Sequence, residues 1–84
     1  MVIGYLQTHP ADRTPPKFCH LILQKDLLDG WTFIRETGTQ GRAGRVKKDH
    51  FTDLDAAESA LATSRDQHIQ KGFQVMITEG AHYD

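Results

Sequence analysis

The sequence predicts an α+β fold: a small antiparallel sheet of about five strands packed on one long α-helix. Short segments rich in β-branched and aromatic residues recur between positions 2 and 51, and turn residues separate them. One stretch with apolar residues at helical spacing follows, and a last strand-like segment comes after it. The predicted order of elements is therefore β-β-β-β-α-β.

The length of the chain limits what it can do. Its 84 residues predict a single domain, 1–84, with a core from about residue 5 to residue 78. A domain of this size buries only about 60–65% of the surface that its unfolded chain exposes. We expect a small core and no room for a large active-site cleft.

The first strands are predicted from composition and alternation. A strand at 2–8 is followed by a loop at 9–16, because the three prolines there lack backbone donors. The segment KFCHLILQ at 17–24 has apolar residues on both faces, which favours a central strand covered by a helix. One of its faces carries Cys19, Leu21 and Leu23.

A meander of two more strands is predicted next. Asp29-Gly30 is a frequent turn signal, since these residues accept positive φ. Trp31–Glu36 then alternates as a strand, with Trp31 as a core anchor. A glycine-containing loop at 37–44 follows, and the polar segment 45–51 is expected at an edge of the sheet.

The helix signals lie between residues 52 and 72. Thr52 is the predicted N-cap, and Gly72 after Lys71 is the predicted end. The apolar stripe of this helix is expected to comprise Leu54, Ala57, Leu61, Ser64 and His68. A strand at 73–78 should point Phe73, Val75 and Ile77 inward, and the last six residues should fray.

Charge is distributed unevenly along the chain. Residues 31–48 carry five basic and one acidic side chain, whereas residues 49–84 carry two basic and seven acidic ones. The formal net charge of −1 argues against nucleic-acid binding by the whole surface. Any such binding must come from a local patch.

Cysteine content and the N-terminal sequence indicate the cellular compartment in which the protein is expected. A single cysteine, Cys19, cannot form an internal disulfide and is expected to be a buried structural thiol. The N-terminal residues lack the pattern of a signal peptide, and no segment approaches the about 20 apolar residues of a membrane span. We expect a cytoplasmic protein with no membrane partner.

A resemblance to a known family covers most of the chain, from Tyr5 to Phe73. Its matching pieces are the KF-x-HLIL strand, the D-L-x-D-G-W turn, the segment RETGTQGRAGRV at 35–46, and the alanine-rich helix ending in Lys-Gly-Phe. In these features the chain resembles a WGR domain, the α+β module found in DNA-dependent poly(ADP-ribose) polymerases and in short stand-alone bacterial proteins.

The family signature reads R-E-W-G-R-x-G-x-x-G. Thr37 stands at the position of its tryptophan and Thr39 at that of its arginine, while Gly38, Gly41 and Gly44 agree with it. In the polymerases these two positions contact DNA ends and the neighbouring catalytic region. Threonine offers neither a stacking ring nor a guanidinium, so the resemblance implies DNA binding through the surrounding basic residues.

Basic side chains around the glycines form the candidate nucleic-acid-binding site. Arginine binds phosphate through a two-pronged donor, and lysine adds a point charge. The candidates are Arg35, Arg42, Arg45, Lys47 and Lys48. Because Lys47 and Lys48 are adjacent on a strand, only one can join a single patch. Contact with three or four phosphates implies weak, sequence-independent DNA binding.

Two alternatives stay open at this point. The loop can be a solvated hairpin whose glycines satisfy turn geometry. The domain can also be a protein-interaction module or a homodimer, which the small core, the edge strands and the charge asymmetry favour.

No catalytic chemistry is predicted. The glycine spacing matches no nucleotide-binding loop, and the five histidines lack metal-ligand spacing. His20 and His68 are expected at the core boundary, and the carboxylates that begin the helix are expected to cap it. We expect no enzyme, no cofactor, no metal and no small-molecule substrate.

Overall fold

The structure, a computed structural model, describes residues 1–11 and 13–80. Its elements, in chain order, are β1 (Val2–Gln7), β2 (Lys17–Lys25), β3 (Trp31–Thr39), β4 (Arg45–Phe51), α1 (Leu54–Gln70) and β5 (Gln74–Gly80). The predicted order of elements is confirmed. No helix in these ranges is long and apolar enough to cross a membrane.

The five strands form one sheet in the order β4-β3-β2-β1-β5, and every pairing is antiparallel. β2 is central, as its two apolar faces predict. Helix α1 carries the chain from edge strand β4 to edge strand β5 and packs against all five strands. The predicted α+β fold is therefore confirmed, and within residues 1–11 and 13–80 no helix covers the opposite face of the sheet.

The core lies between the sheet and α1. It combines alternate residues of three neighbouring strands with one face of the helix: Leu6, Cys19, Leu21, Leu23, Phe33, Ala57 and Leu61. Ser64 is buried beside them on the same helical stripe. Trp31 and Phe51 are half-buried against this cluster, and Trp31 is thus the anchor predicted at the start of its strand.

The helix begins one residue later than predicted. Its N-cap is Asp53, whose side chain accepts a hydrogen bond from the Asp55 N–H at 3.3 Å, so Thr52 lies outside the helix. Both residue types cap helices, but a carboxylate also interacts favourably with the positive end of the helix dipole. The predicted end is confirmed: Lys71 is the C-cap, and Gly72 follows with φ of 98°.

Strand β3 is longer than predicted. It continues through Thr37, Gly38 and Thr39, which pair with β2 residues Cys19, Phe18 and Lys17. Because β2 is equally long, its hydrogen bonds with β3 continue past Gly38. The hairpin loop is consequently confined to residues 40–44.

Strand β5 differs from its prediction in extent and in facing. It runs from Gln74 to Gly80, so two of the six residues expected to fray belong to it, and residues 81–84 lie outside the described part. Val75 and Ile77 are exposed rather than inward. All seven residues of β5 are exposed, because a single helix covers this edge strand only slightly. The pairing with β1 also shifts register between Tyr5 and Leu6.

Asp26 organises the turn between β2 and β3. Its carboxylate accepts hydrogen bonds from the Leu28 N–H at 2.8 Å and the Gly30 N–H at 3.0 Å, and it lies 2.6 Å from His50 Nδ1. Burial alone would raise the pKa of Asp26, but these hydrogen bonds and His50 outweigh it and lower the pKa. Asp29, not Gly30, takes the positive φ of this turn, at 62°.

Candidate nucleic-acid interface

The register of the β3–β4 hairpin decides which basic side chains lie together. Arg35 is opposite Lys47, and Thr37 is opposite Arg45. Directly opposite residues of an antiparallel pair point to the same face. Because Arg35 alternates with the buried Phe33, all four lie on the face that carries α1. Three of the five predicted cations are thus brought together.

The other two predicted cations lie elsewhere. Lys48 is opposite Ile34, on the face of the sheet without the helix, which agrees with the expectation that only one of the two adjacent lysines joins the patch. Arg42 lies in the exposed hairpin loop, beyond the strand ends. The predicted patch is therefore smaller than the full set of basic residues.

A cavity of about 360 Å³, here called the basic cavity, lies at this hairpin. It is lined by Arg35, Thr37, Arg45, Val46 and Lys47. These residues include three cations and no acidic side chain. Such a cavity favours an anion, and guanidinium groups suit the geometry of a phosphate.

Arg35 is the most firmly placed of these cations. Its Nη2 lies 3.6 Å from Asp49 Oδ2, and its guanidinium carbon lies 5.6 Å from the centroid of the Phe33 ring. Its side chain is only 30% exposed. Arg35 is therefore held against the sheet, whereas Arg45 and Lys47 are exposed and free to adjust to a ligand.

The three glycines of the signature have different structural roles. Only Gly41 meets a turn requirement, with φ of 85° and open space around it. A Cβ on Gly38 would lie 2.9 Å from the Gly44 Cα, and one on Gly44 would lie 2.9 Å from the Thr37 carbonyl oxygen. Gly38 and Gly44 thus allow close backbone approach, which corrects the interpretation of all three as turn glycines.

A second cavity, of about 310 Å³ and here called the polar cavity, shares Arg35 with the basic cavity as a lining residue. It lies between the β3–β4 hairpin and residues 59–67 of α1. Its lining combines two charged residues with polar and apolar ones: Phe33, Arg35, Asp49, Ser59, Ala60, Thr63, Ser64 and Gln67. The Ser64 Oγ and the Arg35 Nε are buried and have no hydrogen-bond partner among the described residues.

Sequence reasoning missed the polar cavity. Spacing alone places Ser64 on the apolar stripe of the helix, and the sequence shows Asp49 only as one of several acidic residues. Ser59, Thr63 and Gln67 recur every four residues beside that stripe. That second, polar stripe is the signal in the sequence that could have indicated a polar groove beside the helix.

The remaining polar candidates have structural roles. The His20 ring packs edge-on against Tyr5 with centroids 5.9 Å apart, and His68 Nδ1 lies 2.7 Å from the Ser64 carbonyl oxygen. Both histidines are half-buried, as expected at the core boundary. No group of three or more metal-binding side chains occurs among the residues that the structure describes.

Cys19 is a buried thiol, as predicted, with no exposed surface. Burial raises its pKa to about 11, and the nearby charge of Arg35 opposes that rise only in part. A thiol in this state has little thiolate at neutral pH and is a poor nucleophile.

Fold and site together define a small α+β domain that presents a cationic cavity where the β3–β4 hairpin meets the helix-bearing face of its sheet. No protein-family model, curated protein or solved structure matches the chain. The resemblance to WGR domains thus stays a prediction based on the residues quoted above.

Proposed function

We propose that this protein is a non-catalytic module that binds DNA phosphates through its β3–β4 hairpin. The observation that carries the proposal is the basic cavity, where Arg35, Arg45 and Lys47 converge without an acidic side chain among the lining residues. The resemblance to WGR domains points to the same ligand class. A cationic cavity contacts the phosphates of the DNA backbone rather than the bases. The binding is therefore independent of the DNA sequence.

The number of cations sets the expected salt dependence. Neutralising three phosphates gives a slope of about −2.7 for log affinity against log salt, from about 0.9 per phosphate. Raising the salt from about 50 to about 200 mM should then weaken binding by about 40-fold. The module binds weakly at physiological salt, and a tethered or multivalent arrangement would be needed for tight binding.

Thr37 has a specific place in this proposal. It lines the basic cavity at the position where the family signature has tryptophan. A threonine leaves the cavity open, and its hydroxyl can donate a hydrogen bond to a phosphate oxygen. The substitution therefore removes base stacking but is compatible with phosphate binding.

Fluorescence anisotropy with a labelled DNA duplex at low salt tests the proposal. We expect saturable binding that the double variant Arg45→Ala/Lys47→Ala weakens by at least ten-fold. Lys48→Ala is the matched control, because it removes a neighbouring cation from the opposite face. The absence of saturable binding, or an equal loss in the control, would contradict the proposal.

A second function, protein interaction or homodimerisation, is favoured by exposed apolar side chains. Leu27 and Leu28 project nearly fully exposed from the β2–β3 turn, and Met76 and Ile77 are half exposed on edge strand β5. Sedimentation equilibrium over a wide concentration range tests self-association. A mass of one chain throughout would exclude a homodimer, whereas a dimer that Leu27→Ser/Leu28→Ser dissociates would place its interface at the turn.

A further inference from the structure

The face of the sheet opposite α1, here called the open face, is covered by no helix within residues 1–11 and 13–80. Ile22 lies on this face, because it alternates on the central strand with the buried Leu21 and Leu23. Side chains directly opposite one another on neighbouring strands point to the same face. The strand register therefore shows which residues share the open face with Ile22.

One row of side chains crosses the open face from edge to edge. Ile22 pairs with Ile3 on β1 and with Ile34 on β3. Beyond them, Ile3 pairs with Glu79 on β5, and Ile34 pairs with Lys48 on β4. Three isoleucines thus occupy the three inner strands, with an anionic side chain at one edge of the sheet and a cationic side chain at the other.

The next row along the strands has apolar ends instead. His20 on β2 pairs with Tyr5 on β1 and with Glu36 on β3. Tyr5 pairs with Ile77 on β5, and Glu36 pairs with Val46 on β4. Val46 and Ile77 are each more than half exposed. An antiparallel sheet with a solvated face normally has polar side chains there, so the apolar residues of these two rows indicate that another molecule covers the open face.

The first row is complementary to itself under a two-fold rotation. The strand order β4-β3-β2-β1-β5 has two strands on each side of β2. Half a turn about a line parallel to β2 therefore lays β4 over β5 and β3 over β1 of a second copy. Lys48 then faces Glu79 of the second copy, and the isoleucines face one another. Neither of these two charges has an ion-pair partner within the described part of the chain.

The second row fits the same rotation. It lays Ile77 over Val46, which joins the two exposed apolar ends, and it lays Tyr5 over Glu36. The Tyr5 hydroxyl accepts a hydrogen bond from Gln40 Nε2 at 3.0 Å, so its own proton remains available to a carboxylate. Both rows therefore match a second copy of the same surface.

The open face is large enough for a dimer. Five strands about 4.8 Å apart span about 24 Å, and the six residues of β1, the shortest strand, span about 20 Å. The flat area is about 500 Å² on each chain and about 1,000 Å² over both, which is the lower limit for a specific interface. Twisted sheets pack at about 30° to each other, and the long side chains of Lys48 and Glu79 can span the resulting offset at the edges.

We propose that the open face binds a second copy of this chain in a face-to-face, two-fold dimer, with Ile22 at the axis and a Lys48–Glu79 ion pair at each edge. The inference rests on the second function proposed above, self-association, and assigns a surface to it. The basic cavity lies on the helix-bearing face, so each chain of the dimer keeps its own phosphate site.

Sedimentation equilibrium with charge-reversed variants tests this dimer. Lys48→Glu should raise the dissociation constant of the dimer at least ten-fold, because like charges then face each other at two places in a two-fold dimer. Glu79→Lys should do the same, and the double variant Lys48→Glu/Glu79→Lys should return the constant to within about three-fold of the parent value. Lys47→Glu is the matched control, because it makes the same charge change on the helix-bearing face. It should leave the dimer unchanged.

Both substituted side chains are exposed, so each variant should keep the circular dichroism spectrum of the parent. A dimer indifferent to Lys48→Glu, or one that the double variant fails to restore, would overturn the inference. A dimer that Leu27→Ser/Leu28→Ser dissociates instead would still support self-association, with its interface at the turn. A mass of one chain at every concentration would overturn both and would leave the open face to a partner of a different kind.

Discussion

Adding one methyl group at Gly44 should destabilise the hairpin that carries the basic cavity. A Cβ there would lie 2.9 Å from the Thr37 carbonyl oxygen and 3.1 Å from Phe18 Cζ. The first of these atoms is backbone and can yield only if β4 moves away from β3. Overpacking of this kind costs about 1–3 kcal/mol. We therefore expect Gly44→Ala to lower the free energy of unfolding by about 2 kcal/mol.

Gly41→Ala is the matched control at the same hairpin. Its new methyl group would meet nothing within 4 Å, and the only cost is the positive φ of 85°. That conformation costs a non-glycine residue about 1–2 kcal/mol, and the reduced freedom of the unfolded chain offsets about 0.4–1 kcal/mol of it. The net loss should be about 0–1.6 kcal/mol, which is below the loss expected for Gly44→Ala.

Urea denaturation followed by circular dichroism and by the fluorescence of Trp31 measures both changes. In a domain of this size each kcal/mol corresponds to about 4–8 °C in melting temperature, so Gly44→Ala should melt about 8–16 °C below the parent. It should also weaken DNA binding, because moving β4 displaces Arg45 from Thr37. A Gly44→Ala protein as stable as the parent, or less affected than Gly41→Ala, would refute the close-approach argument.

Three other outcomes are expected. Leu21→Ala should cost about 2–5 kcal/mol, because Leu21 is fully buried on the central strand, and a chemical denaturation midpoint within error of the parent would contradict that place in the core. Cys19 should resist a thiol reagent at pH 8, where a pKa of about 11 leaves about one thiol in a thousand ionised, and modification as fast as in urea would contradict its burial. The lowered pKa of Asp26 means that its contribution to stability is present above about pH 4 and is lost as the pH falls through the folded-state value. The stability gap between the parent and Asp26→Asn should thus be largest near neutral pH and should shrink in acid, and a gap that does not change with pH would contradict the role of the carboxylate.

The elements that the sequence predicted well are those with strong local signals. The two apolar faces of β2 indicated a central strand, and the spacing of Ala57, Leu61 and Ser64 indicated the buried side of the helix. Gly72 marked the end of α1, because few other residues accept its positive φ. Each of these predictions depends only on residues that are close together in the sequence.

The incorrect predictions concern properties that depend on distant partners. β3 extends past Glu36 because β2 continues beside it, and neither strand's own composition sets that length. Val75 and Ile77 are exposed, like every other residue of β5, because a single helix covers this edge strand only slightly, which alternation along β5 cannot indicate. The end of a strand and its facing are set by tertiary pairing.

One part of the candidate site could be predicted from the sequence, and the other part could not. Alternation along two strands is sufficient to predict that Arg35 and Lys47 can share a face once the hairpin register is known. The polar cavity instead requires α1 to pack across that hairpin, which brings Ser64 near Asp49 from a different part of the chain. Only the packed structure shows that juxtaposition.

The salt dependence of DNA binding tests the central claim most directly. Anisotropy titrations at four or more salt concentrations should give a slope of about −2.7 for the parent protein and for Lys48→Ala, and about −0.9 for Arg45→Ala/Lys47→Ala. This result would show that the cations of the basic cavity contact phosphates. A parent slope near zero, or a slope that the double variant leaves unchanged, would contradict the account.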